Sequence, residues 1–232
     1  MSPDLATGER ARGSGQRDIV AAQRKLRAAQ GPFVPKPRLP VIDEIIATVL
    51  SQHTSDRNSG RAFAQLKAAF PAWAQVLDAP RALVADAIRC GGIADRKARR
   101  IQQILAAIEE REGRIDLGRL SDLDDAAVEE YLTSLPGVGP KTAACVLVFS
   151  MGRAAFPVDT HVLRIASRLG WIPPGTAADR AYRTLTPLVP PGIRYDLHLA
   201  LVTHGRSVCL ARRPRCGECV LRAACPYIAP ER

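Results

Sequence analysis

The sequence predicts an all-α protein, and three observations carry that expectation. Apolar residues recur at three- and four-residue spacings almost throughout, almost nothing alternates with period two, and proline or glycine punctuates the periodic runs at short intervals. A chain of this kind packs helix on helix through short connections, and it shows no internal repeat.

Taken in order, residues 1–17 are rich in Gly, Ser, Arg and Glu without periodicity and read as a disordered tail. "RDIVAAQRKLRAAQ" follows as a short helix. The four prolines of "GPFVPKPRLP" then forbid regular helix and mark a linker. "VIDEIIATVL" sets Val41, Ile42, Ile45, Ile46, Val49 and Leu50 on one helical face, and "RAFAQLKAAF" and "AWAQVLDA" continue in that style. "PRALVADAIRCGG" opens at a proline and closes on Gly91 and Gly92, as helices tend to. "IADRKARRIQQILAAIEE" turns Ile101, Ile104, Leu105 and Ile108 inward, and "SDLDDAAVEEYLTSL" supplies Asp and Ser candidates for its own N-cap. Beyond residue 157, "VDTHVLRIASRLG", "AADRAYRTLTPLV" and "RYDLHLALVTHGRSVC" are helical in period, separated by "IPPG" and "VPPG".

The 232 residues suffice for one sizeable core or two small ones. A net charge of +10 and a pI near 9.8 suit a polyanionic partner. No apolar run approaches the ~18 residues of a membrane span, and the first residues lack an apolar signal core, which points to a soluble cytoplasmic protein.

Within "LPGVGPKTAACVL", two glycines form a tight hairpin, and Pro140 suits the first position of the helix that follows. Gly137 and Gly139 allow main-chain N–H groups and the helix start to approach a phosphate closely, which fixes position without reading base sequence. Lys141 breaks a local rule there, because a helix N-terminus disfavours a cation. Only five residues are lysine (Lys25, Lys36, Lys67, Lys97 and Lys141) in a chain that otherwise uses arginine, and of the two only lysine can serve as an amine nucleophile. Partial shielding from water would favour the neutral amine at position 141.

Cys90 and Cys145 stand alone in apolar helical contexts and read as small buried hydrophobes. Cys209, Cys216, Cys219 and Cys225 crowd into C-x6-C-x2-C-x5-C, the pattern of metal ligands in a compartment that keeps thiols reduced. A zinc site commonly pairs two C-x2-C knuckles, whereas a 4Fe-4S cluster tolerates wider spacing; the spacing favours the cluster and leaves zinc open. Arg206, Arg212, Arg213, Arg215 and Arg222 face only Glu218 in this segment, a basic surface suited to phosphates.

The hairpin "LPGVGPK", the later "VDTHV" and the C-terminal four-cysteine pattern, in that order, resemble the endonuclease III family of base-excision DNA glycosylases from about residue 18 onward. The resemblance implies two helical lobes with the DNA-binding cleft between them. One is a six-helix bundle at 34–154 carrying the helix-hairpin-helix. The other, at 18–33 and 155–232, holds a 4Fe-4S cluster on the four cysteines. It further implies that Lys141 is the catalytic lysine and Asp159 the catalytic aspartate, and that Gln52 and Ile93 enter the duplex to fill the space of an extruded base. Asp159 is equally placed to cap its helix, and Ile93 to staple onto the helix it precedes. The activity so implied is a bifunctional glycosylase and AP lyase that excises oxidised pyrimidines from duplex DNA through a lysine Schiff base and β-elimination, as a monomer. Two alternatives stand beside it. An adenine-mismatch glycosylase lacks the hairpin lysine and usually has a further C-terminal domain, against seven residues here after Cys225. A non-catalytic iron-sulfur DNA-binding protein would need no Lys141.

Overall fold

Every regular element among the described residues is a helix. The computed structural model describes residues 3–34 and 38–228, with side chains from residue 15 onward. The chain divides into two compact units, an internal one at Arg38–Arg153 and a terminal one that joins Met1–Pro37 to Ala154–Arg232.

In the terminal unit, α1 (Pro3–Gln30) begins well upstream of the expected start near residue 17, so most of the stretch read as a tail is helical. Propagating a helix from a packed segment needs no new nucleus, and a proline suits the first turn. Among its described side chains, Ile19, Ala22 and Leu26 are buried. These side chains share a core with residues of α9 (Thr160–Arg168), α10 (Ala178–Leu188) and α11 (Arg194–Ser207): Val162, Ile165, Leu185, Leu197 and Leu201, together with Phe156 and Leu221. Both ends of the chain therefore complete one core. After α11 the backbone passes through three short 3-10 turns, at Cys216–Glu218, Arg222–Ala224 and Pro226–Ile228.

The internal unit runs through α2 (Val41–Ser51), α3 (Asp56–Ala69), α4 (Trp73–Asp78), α5 (Arg81–Ala87), α6 (Ala94–Glu112), α7 (Asp125–Thr133) and α8 (Pro140–Cys145). Its seven segments include the six-residue α4, one more than a six-helix count. Ile45, Ile46 and Leu50 of α2 and Ile101, Ile104, Leu105 and Ile108 of α6 are fully buried, as their spacing requires. Ser55 caps α3 by accepting from the Asn58 N–H at 3.3 Å, and Asp124 caps α7 by accepting from the Ala127 N–H at 2.8 Å. Beyond Cys145, α8 widens into a π turn at Val146–Ser150, closed by Met151 N–H to Val146 C=O at 3.1 Å. No helix among the described residues is long and apolar enough to cross a membrane.

Candidate catalytic and nucleic-acid site

Two small hydrophobes pin the hairpin between α7 and α8. Leu135 and Val138 are buried, and their N–H groups bond back to Leu132 and Leu135 carbonyls, each at 3.1 Å. Gly137 between them has φ +68°, a backbone conformation that strains any other residue, and the mobile guanidinium end of Arg100 lies where a Cβ would be and would have to shift. Gly139 is the N-cap of α8, its carbonyl accepting from Thr142 and Ala143 N–H at 2.9 and 3.0 Å, and no atom approaches the place of its missing Cβ. This face is open to close approach by a ligand. Lys141, half-buried, sits in the first turn that follows.

The packing of α2 against α8 brings to Lys141 a residue that sequence reasoning missed. Glu44 lies partly buried on α2, and burial pushes its carboxyl up to about 7 against the opposing pull of the Thr48 hydroxyl and the Lys141 charge. The Thr48 hydroxyl donates to Glu44 Oε1 at 3.3 Å. Nothing in the sequence pairs positions so far apart; only the helix packing does.

The other candidates lie on loops. Gln52 is the exposed C-cap residue of α2, and His53 after it is exposed with φ +54°. Ile93 caps the start of α6 with φ +44° and is 45% exposed, so it is not folded down as a staple. A β-branched residue in the left-handed region is a conformational outlier, and such outliers concentrate where a loop presents a side chain outward. His53 carried the same signal, invisible without backbone angles.

In the terminal unit Asp159 is the N-cap of α9, with Oδ1 accepting from His161 N–H at 2.9 Å and Val162 N–H at 2.8 Å. Both bonds use one carboxylate oxygen. His161 Nδ1 lies 3.1 Å from Arg164 Nη2, a structural contact within the same helix.

The four cysteines Cys209, Cys216, Cys219 and Cys225 are all half-buried. Burial pushes the Cys219 thiol up, and the charges of Cys209, Cys225 and Cys216 push it further, so these three lie within electrostatic reach of Cys219. Two groups approach their sulfurs: Arg168 Nη1 donates to Cys209 Sγ at 3.2 Å, and His204 Nε2 lies 3.4 Å from Cys219 Sγ. Among the described residues no three His, Cys, Asp or Glu side chains are drawn together closely enough to hold a single metal ion. Arg212 and Arg213 are exposed beside them, Arg213 with φ +51°.

Comparison with known proteins agrees with this arrangement. Residues 46–191 match the HhH-GPD superfamily of base excision DNA repair proteins. An Arabidopsis thaliana protein whose name provisionally assigns it to the DNA glycosylases is 43% identical over 166 residues, covering 72% of this chain and 57% of that one; the chain thus spans less than two thirds of that relative. The endonuclease III of Sulfolobus acidocaldarius is 31% identical, with 81% of this chain and 82% of that one covered. For the endonuclease III of Thermotoga maritima the identity is 35%, with 79% and 81% covered. A solved non-covalent endonuclease III–DNA complex is similar with a TM-score of 0.78 at 26% identity, over 91% of this chain and 95% of that one.

The match to a base excision DNA repair superfamily and the similarity to two endonuclease III enzymes over about four fifths of each chain define the class as DNA glycosylase and AP lyase enzymes. The chain belongs to the HhH-GPD superfamily of base excision DNA repair proteins, within its endonuclease III group.

Proposed function

We propose that this chain excises an oxidised pyrimidine from duplex DNA and then cuts the strand on the 3′ side of the abasic site. The observation that carries the reading is the half-buried Lys141 in the first turn of α8, directly after a hairpin whose Gly139 leaves the backbone open to a phosphate.

In this reading the Lys141 amine attacks the sugar C1′, the C1′–N bond to the damaged base breaks, and the base leaves with its electron pair and takes up the proton that the amine gives up. Opening of the sugar ring gives a Schiff base between Lys141 and C1′. Loss of a proton from C2′ then expels the 3′ phosphate by β-elimination, and water releases the lysine. Asp159 stabilises the positive charge that develops on the sugar, using the carboxylate that also caps α9. The hairpin backbone at Gly137 and Gly139 holds the strand, and Arg212 and Arg213 contact phosphates. Gln52 and Ile93 enter the space of the extruded base, offsetting an extrusion cost of a few kcal/mol.

Cys209, Cys216, Cys219 and Cys225 would hold a 4Fe-4S cluster, whose four irons spread over a larger volume than one zinc ion. Their thiol chemistry, the electrostatic reach of three of them to Cys219 and the Arg168 donor at Cys209 Sγ support that fit. When bound, such a group folds its segment and exposes no position for hydrolysis. The residues themselves keep Arg212 and Arg213 at the surface.

The test is borohydride trapping on a duplex with one thymine glycol, using wild type and Lys141→Gln. A covalent complex formed by wild type and absent from the variant is the expected result. No complex from wild type, with this lesion or with a plain abasic site, overturns the lyase assignment and leaves a monofunctional glycosylase or a binding protein.

A further inference from the structure

Lys97 falls on the buried face of α6, at helical spacing with Ile101, Ile104 and Ile108, and is 2% exposed. Its ammonium donates to Leu50 C=O at 2.7 Å and to Gly91 C=O at 2.9 Å, and among the described residues no carboxylate pairs with it. Burial accordingly disfavours its charged form. A buried cation without a counter-charge is a costly way to hold two helices together, so the placement calls for a reason other than stability.

The two carbonyls supply one. Leu50 lies in the last turn of α2, where carbonyls lack intrahelical donors, and three residues further on is the left-handed His53. Gly91 ends the 3-10 turn at Arg89–Gly91, and two residues further on is the left-handed, exposed Ile93. Lys97 N–H also bonds to Ile93 C=O at 3.1 Å. An ammonium carries three donors on one atom, so a single group fixes the bases of both loops against each other.

We infer that Lys97 is a positioning residue for base extrusion: it sets the spacing of the Gln52–His53 and Gly92–Ile93 loop tips, so that both meet the same step of the duplex. The inference rests on the glycosylase reading above. A misplacement of about 1 Å in such a pair is enough to cost on the order of a hundredfold in rate.

The experiment compares two substrates under single turnover, with the full chain as wild type and as Lys97→Met. One duplex carries thymine glycol, which must be extruded; the other carries a preformed abasic site, with no base to displace. The expected result is excision slowed about tenfold or more, with cleavage at the abasic site within about threefold of wild type. Parallel losses on both substrates, or no loss on either, overturn the inference. Should Lys97→Met fail to fold, Lys97→Gln keeps an amide NH2 with two donors and runs the same comparison. In the wild type itself, amide exchange at residues 51–54 and 91–94 is expected to report one common opening free energy, and clearly different values overturn the linkage. A wild type that neither excises nor cleaves removes the glycosylase reading, and this inference with it; a wild type active on both substrates isolates Lys97.

Discussion

The guanidinium of Arg100 on α6 occupies the space that a side chain at Gly137 would need, and Gly137 itself is left-handed. Gly137→Ala therefore meets a backbone cost of about 1–2 kcal/mol together with displacement of Arg100. Its melting temperature is expected to fall, and duplex affinity with it. Gly139 differs, with negative φ and open space around it. Gly139→Ala is expected to change stability by no more than about 0.5 kcal/mol while still weakening binding, because a methyl group would intrude on the phosphate approach. Thermal melts beside fluorescence anisotropy on a duplex check the pair; unchanged affinity in Gly139→Ala would remove the hairpin from the binding surface.

Asp159 separates a structural from a chemical role. Asn caps a helix as well as Asp does, so Asp159→Asn keeps acceptors for the His161 and Val162 N–H groups. Its stability is expected to lie within about 0.5 kcal/mol of wild type, while Asp159→Ala loses about 1 kcal/mol. Single-turnover excision is expected to fall strongly in both variants. Wild-type excision by Asp159→Asn would reduce the residue to a cap.

Ile93 offers the opposite dissociation. It is 45% exposed and sits in a conformation that only glycine adopts freely. Ile93→Gly is thus expected to leave the melting temperature unchanged or raised, by up to about 1 kcal/mol in stability, while slowing lesion excision. A simultaneous loss of stability would show that the side chain serves packing.

Much of this was legible in the sequence, for identifiable reasons. The helices carry strong period, as in Ile101, Ile104, Leu105 and Ile108, and all four are fully buried. Asp159 was readable as a cap because capping is local. Glu44 was not, because its meeting with Lys141 is made by α2 and α8 across a long sequence separation. His53 was not, because a left-handed backbone in a non-glycine residue leaves no mark in residue type. Lys97 did leave one: it stands on the apolar stripe of its helix, a broken local rule of the same kind that drew notice to Lys141. The extent of α1 went unread because helix propagation from a packed segment overrides weak local composition.

The cysteine set is checked by iron content. Wild type purified without oxygen is expected to carry about four irons per chain, the stoichiometry of a cubane cluster. Cys216→Ser is expected to lose iron and the cooperative unfolding of residues 208–228, whereas Cys90→Ser, outside the set, keeps both. Stoichiometric zinc in place of iron would replace the cluster with a mononuclear site.

Glu44 yields a pH dependence whose sign follows from its environment. Its carboxyl ionises at about 7 in the folded chain, chiefly because burial disfavours the charge, against an ordinary value of 4.5. Below 4.5 the group is protonated in both folded and unfolded chains, so its relative contribution to stability is fully present. As pH rises toward 7 the unfolded chain releases this proton while the folded chain retains it, and stability declines. Above 7 the folded chain bears the full cost of the buried charge, on the order of 2 kcal/mol once solvent relaxation is allowed for. Glu44→Gln, neutral and of the same shape, is therefore expected to match wild type at about pH 3.5, below the unfolded value, and to exceed it by roughly that amount at about pH 8. The Lys141 charge opposes this by favouring the carboxylate, so the gain at pH 8 is expected to be larger when Lys141→Gln is the background. Denaturant titrations of the four variants at both pH values measure it. A Glu44→Gln gain at pH 8 that is independent of residue 141 would show that the two side chains do not sense each other.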